Sequence, residues 1–301
     1  MKTRVRFRIL VFFLLLVTAA ILLAVLEDKC ETYRPFSFIE ASIPWLKTGR
    51  EAQLPVLVDA RAQGKIIVVP ALQEENVSWV LEDLPDWKHA IYIVNPLQPR
   101  GEHSDMLTTP VDKGRKAMAY LSYIIDNYNS GIPSIVAFLH AHRNGFFQAW
   151  HVDTPLHDNV VAMRSLRLDY VQKKGYVNLR CNWNPGCKRV SRPNPHINGE
   201  VWREVFDGTS TPVFVQNRTG PASIPGTSSL EDREKLRYTT MNIWTPCCAQ
   251  FAVTSERIYE RPLADYVKIR RWVMDTEKDD AHSGRVMEYL WHVIFGREAV
   301  Q

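Results

Sequence analysis

Lys113–Leu139, KGRKAMAYLSYIIDNYNSGIPSIVAFL, is the stretch on which the reading of the fold turns. In its first half Ala117, Leu121, Ile124, Ile125 and Tyr128 recur at helical spacing, which predicts one apolar stripe on a helix over 113–127. Asn129-Ser130-Gly131 stops that helix. Ser134–Leu139 (SIVAFL) then reads as a short strand, apolar throughout, as a strand covered on both faces must be. Upstream, Lys65–Pro70 (KIIVVP) and Ala90–Val94 (AIYIV) have the same character, and Asn76–Leu84 (NVSWVLEDL) between them is amphipathic. Strand, helix, strand, helix, strand predicts an α/β class: a mostly parallel, Rossmann-like sheet with crossover helices. Downstream the pattern predicts a helix over Asp158–Lys174, a strand over Tyr176–Leu179, and helices over Leu263–Met274 and Ser283–Phe295. Turn-rich tracts at Asn182–Gly199 and Ser210–Ser229 separate them.

The N-terminus has a different physics. Ile9–Leu26 is apolar and uncharged, with Thr18 its one polar member, and eighteen helical residues span roughly 27 Å. Lys2, Arg4, Arg6 and Arg8 precede the run, whereas Glu27 and Asp28 follow it, so the positive-inside bias predicts a cytosolic N-terminus. A cleaved signal peptide also begins basic and then apolar, but the run exceeds the usual 7–15 or so residues and ends without a small-x-small site. The expected organisation is a cytosolic tail over 1–8, a transmembrane anchor over 9–26, a stem over 27–62 bearing Pro35, Pro44 and Pro55, and a lumenal α/β domain over 63–298. With 46% hydrophobic residues the domain can build a core. The net charge of +4 is small beside the four basic residues of the tail, so no nucleic-acid footprint is left.

In an oxidising endoplasmic-reticulum or Golgi lumen Cys181, Cys187, Cys247 and Cys248 are expected to form disulfides, with Cys30 beside the membrane free or intermolecular. Asn76-Val-Ser and Asn217-Arg-Thr are glycosylation sequons, as expected of a lumenal glycoprotein. There is no nucleophile elbow, glycine-rich dinucleotide fingerprint or Walker loop, which sets aside the common hydrolase, dehydrogenase and nucleotide-hydrolase classes.

Four constellations remain. His140-Ala141-His142 stands where the third strand stops, and residues i and i+2 of an extended chain share a face. With His151 and His157 the pair could hold a divalent metal; a histidine that caps the strand is the plainer reading. Asp112, Lys113, Gly114 and Arg115 open the best helix, where amides and bases can cradle a diphosphate or carboxylate, or else form an ordinary cap. Arg285, Glu288 and His292 fall on one helical face. Glu288 is a candidate general base there, or the partner of Arg285 in a helical ion pair, and Asp153 is a second candidate catalytic carboxylate. Trp150, Trp183 and Trp244 lie in polar loops of the kind that stack on sugars.

ENVSWVLEDLPDW (Glu75–Trp87), KGRKAMAYLSYIIDNY (Lys113–Tyr128), FLHAHR (Phe138–Arg143), LRLDYV…GYVNLRC (Leu166–Cys181), CCAQFAVTSERI (Cys247–Ile258) and GRVMEYLWHVIFG (Gly284–Gly296) carry a resemblance. In this order they resemble the mainly fungal family catalogued as domain of unknown function 3431. The layout also resembles nucleotide-sugar glycosyltransferases of the A-type fold, which place an Asp-x-Asp pair at a strand end to hold a metal and diphosphate. That likeness implies a lumenal transferase using a nucleotide sugar and a divalent metal, with a glycan or small-molecule acceptor. A histidine-ligated metalloenzyme (oxidase or hydrolase) and a non-catalytic lumenal binding protein are the alternatives.

Overall fold

The computed structural model describes residues 2–33, 64–96, 107–144, 151–154, 157–180, 196–206, 208–209, 243 and 245–297. Cys181, Cys187, Asn217, Trp150, Trp183 and Trp244 lie outside the described residues, as do the stem beyond Tyr33 and the tract 210–229. The chain divides into two units, Met1–Ala52 and Gln53–Gln301.

The first unit holds helix α1, Lys2–Tyr33, longer than the expected run. Its side chains from Val11 to Leu26 are exposed all round, with Phe12, Leu15, Leu22 and Leu23 each above 60%. Thr18 donates its hydroxyl to Leu14 O (2.8 Å), so the one polar side chain of the run is satisfied within the helix. Among the described residues no helix is long and apolar enough to cross a membrane. The apolar run of the sequence begins two residues earlier, at Ile9.

The second unit runs β1 (Lys65–Ala71), α2 (Ser78–Asp83), β2 (Lys88–Ile93), β3 (Leu107–Thr108), α3 (Lys116–Asn127), β4 (Ile135–Phe138), α4 (Asn159–Ser165), α5 (Leu168–Lys174), β5 (Tyr176–Asn178), α6 (Gly199–Phe206), β6 (Phe251–Thr254), α7 (Ser255–Tyr259), α8 (Leu263–Asp275), α9 (Asp280–Glu288) and α10 (Trp291–Ile294). The six strands form one sheet in the order β3-β2-β1-β4-β6-β5. β1 pairs in parallel with β2 and β4, and β2 with β3. β6 runs antiparallel to both β4 and β5. The class is α/β with a mostly parallel sheet. β3 and β6 are additional to the expected strands; β3, at two residues, is too short to carry a period.

Both faces of the sheet are covered, which is why β4 and Ile66–Ala71 of β1 are apolar throughout. Ile66, Val68, Tyr92, Val136, Phe138, Phe251 and Val253 face α3, α8, α9 and α10. Ile67, Val69, Ala71, Ile135, Ala137, Leu139 and Ala252 face the opposite layer, with Trp79 and Val80 of α2, Val160 and Met163 of α4, and Val171 of α5. The expected Asp158–Lys174 helix is interrupted because Leu166 turns extended (ψ 119°), and Leu166 and Leu168 both pack on that second layer. The closing helix also breaks, at Tyr289–Leu290. The turn brings Trp291 against Tyr120, Phe251 and Phe295, ring centroids 5.5–6.0 Å apart. His292 therefore does not continue the Arg285–Glu288 face, which corrects the expectation of one stripe.

Candidate functional site

In an open α/β sheet, ligands bind outside the carboxyl ends of strands where the order reverses, here between β1 and β4. The loop leaving β4 carries His140-Ala141-His142-Arg143, and four of its backbone groups are held by residues far away in sequence or in the next loop. Gln250 Oε1 accepts the His140 N–H (2.8 Å), and Gln250 Nε2 donates to Asn159 Oδ1 (3.0 Å). Asn159 donates its Nδ2 to His142 O (2.8 Å) and its backbone N–H to Arg143 O (2.9 Å). Trp79 Nε1 donates to Ala141 O (2.8 Å), and the Tyr120 hydroxyl to Leu139 O (3.0 Å). A buried Gln–Asn pair, an indole and a phenol thus fix a loop that has left the strand ladder, the support a functional site requires.

The two histidines of that loop diverge. β4 ends at Phe138, so the two-residue alternation no longer governs their side chains. The His140 ring is buried and meets His151, Nδ1 to Nδ1 at 2.8 Å. His142 faces the loop after β1 instead, its Nε2 3.4 Å from Glu75 Oε1. Glu75 Oε2 accepts the Leu72 N–H (2.7 Å). His157, fully buried with φ +52°, bonds through Nδ1 to Val152 O (2.8 Å). Among the described residues the four histidines bring no three ligand atoms within 4.8 Å of one another. They do not fit a resident metal with three protein ligands, and their expected shared face is corrected.

They do share an electrostatic environment. Burial first, then Lys116 and His151, hold His140 well below the ordinary histidine value, against the Cys248 backbone, which pulls the other way. His151 is lowered to about 2 by burial, Lys116 and Arg180. His140 Nε2 is buried and has no hydrogen-bond partner among the described residues. Lys116, at the start of α3, is pulled down from 10.5 to about 8 by burial; Glu288 opposes that shift, and Arg115 and Arg285 add to it. Neither Lys116 nor Glu75 stood among the expected site residues, although Lys116 stands one turn before the buried Tyr120.

Across the site Glu288 accepts Arg285 Nη1 on both oxygens (3.0 Å each) and the Cys248 N–H on Oε1 (2.8 Å). The plain ion-pair reading of Arg285 and Glu288 is thus realised, with a backbone contact added. Cys247 and Cys248 are joined to each other as a vicinal disulfide. Cys248 (φ +99°) and Ala249 (φ +50°) both occupy positive-φ backbone that non-glycine residues rarely adopt. Because β6 is antiparallel to β4, this turn lies beside the end of β4, where Ala249 O also accepts the Tyr120 hydroxyl (3.3 Å).

The expected anion cradle before α3 is filled by the chain itself. Lys113 Nζ donates to Met274 O (3.0 Å) and to Thr276 O, at the carbonyl end of α8. A Cβ on Gly114 (φ +74°) would sit 2.3 Å from Val273 Cγ1. The Arg115 N–H, at φ +50°, is taken by Asp280 Oδ1 (2.8 Å). Asp112 is raised by burial and by Asp280. Lys113, Gly114 and Arg115 thus join α3 to α8 and α9. Asn76 is exposed and accepts the Ser78 N–H on its Oδ1 (2.9 Å); Asp153 is partly buried.

Fold and site together define a doubly wound α/β domain with a clamped, histidine-bearing loop at the switch point. A family model described as Protein of unknown function (DUF3431) matches residues 67–301, well over half of the chain, which therefore belongs to that family. No curated protein and no solved structure matches it significantly.

Proposed function

We propose that the domain is a glycosyltransferase-like enzyme that takes a diphosphate-activated sugar at the carboxyl ends of β1 and β4, in a lumenal compartment. The observation that carries this reading is the clamped Leu139–Arg143 loop at the switch point, facing a lysine that makes no hydrogen bond or ion pair among the described residues. Sugar transfer breaks the bond from the anomeric carbon to a diphosphate oxygen and forms one to an acceptor hydroxyl, whose proton must leave. Charge therefore develops on the diphosphate, and preorganised cations stabilise it. In this reading Lys116 takes that role. Glu288, already engaged by Arg285 and Cys248, serves in this reading to favour the charged form of Lys116 through space rather than to take the acceptor's proton. No step is routed through a metal, because the histidines do not assemble three ligands among the described residues.

Titration calorimetry of the full chain in detergent against UDP- and GDP-sugars tests the proposal. Binding is expected, weakened about 10- to 100-fold by Lys116→Met, since a charge-assisted hydrogen bond contributes about 1.5–3 kcal/mol. Lys113→Met is expected to bind as the wild type does. Failure to bind any nucleotide sugar, or equal losses in the two variants, overturns it. The same proposal keeps α1 as a membrane anchor. A helix exposing apolar side chains on every side belongs in lipid or in a protein core, and Val11–Leu26 spans roughly 24 Å of helix.

A further inference from the structure

We infer that Cys247, Cys248 and Glu288 form a redox-gated site for a thiophilic divalent cation, closed while the disulfide stands and opened when it is reduced. One ligand atom from each of the three residues already lies within 4.8 Å of the others, and among the described residues no other such group of three is found. The set is two sulfurs and a carboxylate oxygen, the donor chemistry of zinc and of softer ions rather than of magnesium or calcium. Its geometry is set independently of any ion. Glu288 is fixed by Arg285 and by the Cys248 N–H, and Cys247 and Cys248 are 3% and 4% exposed beside the end of β4. A small ion suits so closed a place better than a peptide does. Lys116 and Arg285, both close to Glu288, offset the negative charge that two thiolates and a carboxylate would gather, and cations of this kind favour the thiolate form.

The chemistry balances with a dithiol reductant. Two electrons and two protons pass to the sulfurs, the Cys247–Cys248 bond breaks, and the reductant closes its own disulfide. The cation then displaces both thiol protons and adds a Glu288 oxygen, leaving a fourth position for water. As the disulfide the sulfurs carry no thiolate charge, and the ion has no purchase. The site adjoins the Tyr120 and His140 contacts, so its occupancy would be felt at the switch point.

Zinc uptake by the full chain in detergent, read by competition with a chromophoric chelator, tests this before and after reduction by a phosphine, which ends as its oxide. Reduced wild type is expected to take up one more equivalent than Cys247→Ser/Cys248→Ser treated alike, and oxidised wild type is expected to show no such excess. Cys30, Cys181 and Cys187 are common to both proteins and cancel. Glu288→Gln is expected to weaken the reduced site at least about tenfold with an unchanged circular dichroism spectrum, and it decides the matter if the double variant fails to fold. Equal uptake by reduced wild type and the double variant, equal uptake before and after reduction, or unchanged affinity in Glu288→Gln overturns the inference.

Discussion

Replacing Gly114 by alanine probes the junction that the sequence presents as a ligand cradle. The new Cβ would stand 2.3 Å from Val273 Cγ1, far inside the roughly 3.5–4.0 Å at which carbon atoms rest. Val273 is fully buried in α8, so it can yield only by leaving its rotamer or by moving the helix. Overpacking of this kind costs about 1–3 kcal/mol. Holding alanine at φ +74° costs a further 1–2 kcal/mol or so. Lower chain entropy in the unfolded state returns about 0.4–1 kcal/mol. The net loss is about 2–4 kcal/mol, a fall of roughly 5–15 °C in Tm for a domain of this size. Urea titration of Gly114→Ala, Val273→Ala and the double variant separates the two causes. With the valine methyls gone, the glycine substitution should cost only the backbone share, about 1 kcal/mol, so the pair should couple by about 1–3 kcal/mol. An increment that is the same in both backgrounds, or a Gly114→Ala midpoint equal to wild type, refutes the packing account.

Two further outcomes follow from other parts of the molecule. His140 and His151 both lose proton affinity on folding, so the unfolded chain binds protons first. Stability should then fall as pH drops below about 6.5, by up to about 1.4 kcal/mol per unit per imidazole, continuing toward the value of about 2 at His151. Urea midpoints measured between pH 7.5 and 5 should show that slope in wild type and a flatter one in His151→Gln; parallel slopes would remove the pair as the cause. Alkaline carbonate treatment should leave the full chain in the membrane pellet and release a form lacking residues 1–33, and a full chain found in the supernatant would end the anchor proposal.

The α/β class was legible because it is written in short-range physics. Ile66–Val69 and Ile135–Leu139 are apolar without alternation, and the α3 stripe keeps helical spacing, so burial on both faces could be read residue by residue. The same reading yielded the apolar run that became α1 and the Arg285–Glu288 pair, both consequences of neighbours along one chain. What needed tertiary structure depends on partners far away in sequence. Lys113 looked like a phosphate ligand until the carbonyl end of α8, some 160 residues on, supplied its acceptors. His140 and His142 looked like one metal pair until Gln250, Asn159 and Trp79 clamped their loop and sent one ring to His151 and the other to Glu75. A sequence fixes which groups can bond and which faces must be buried; a loop that has left its strand takes its direction from whatever satisfies its backbone, and only the folded chain decides what that is.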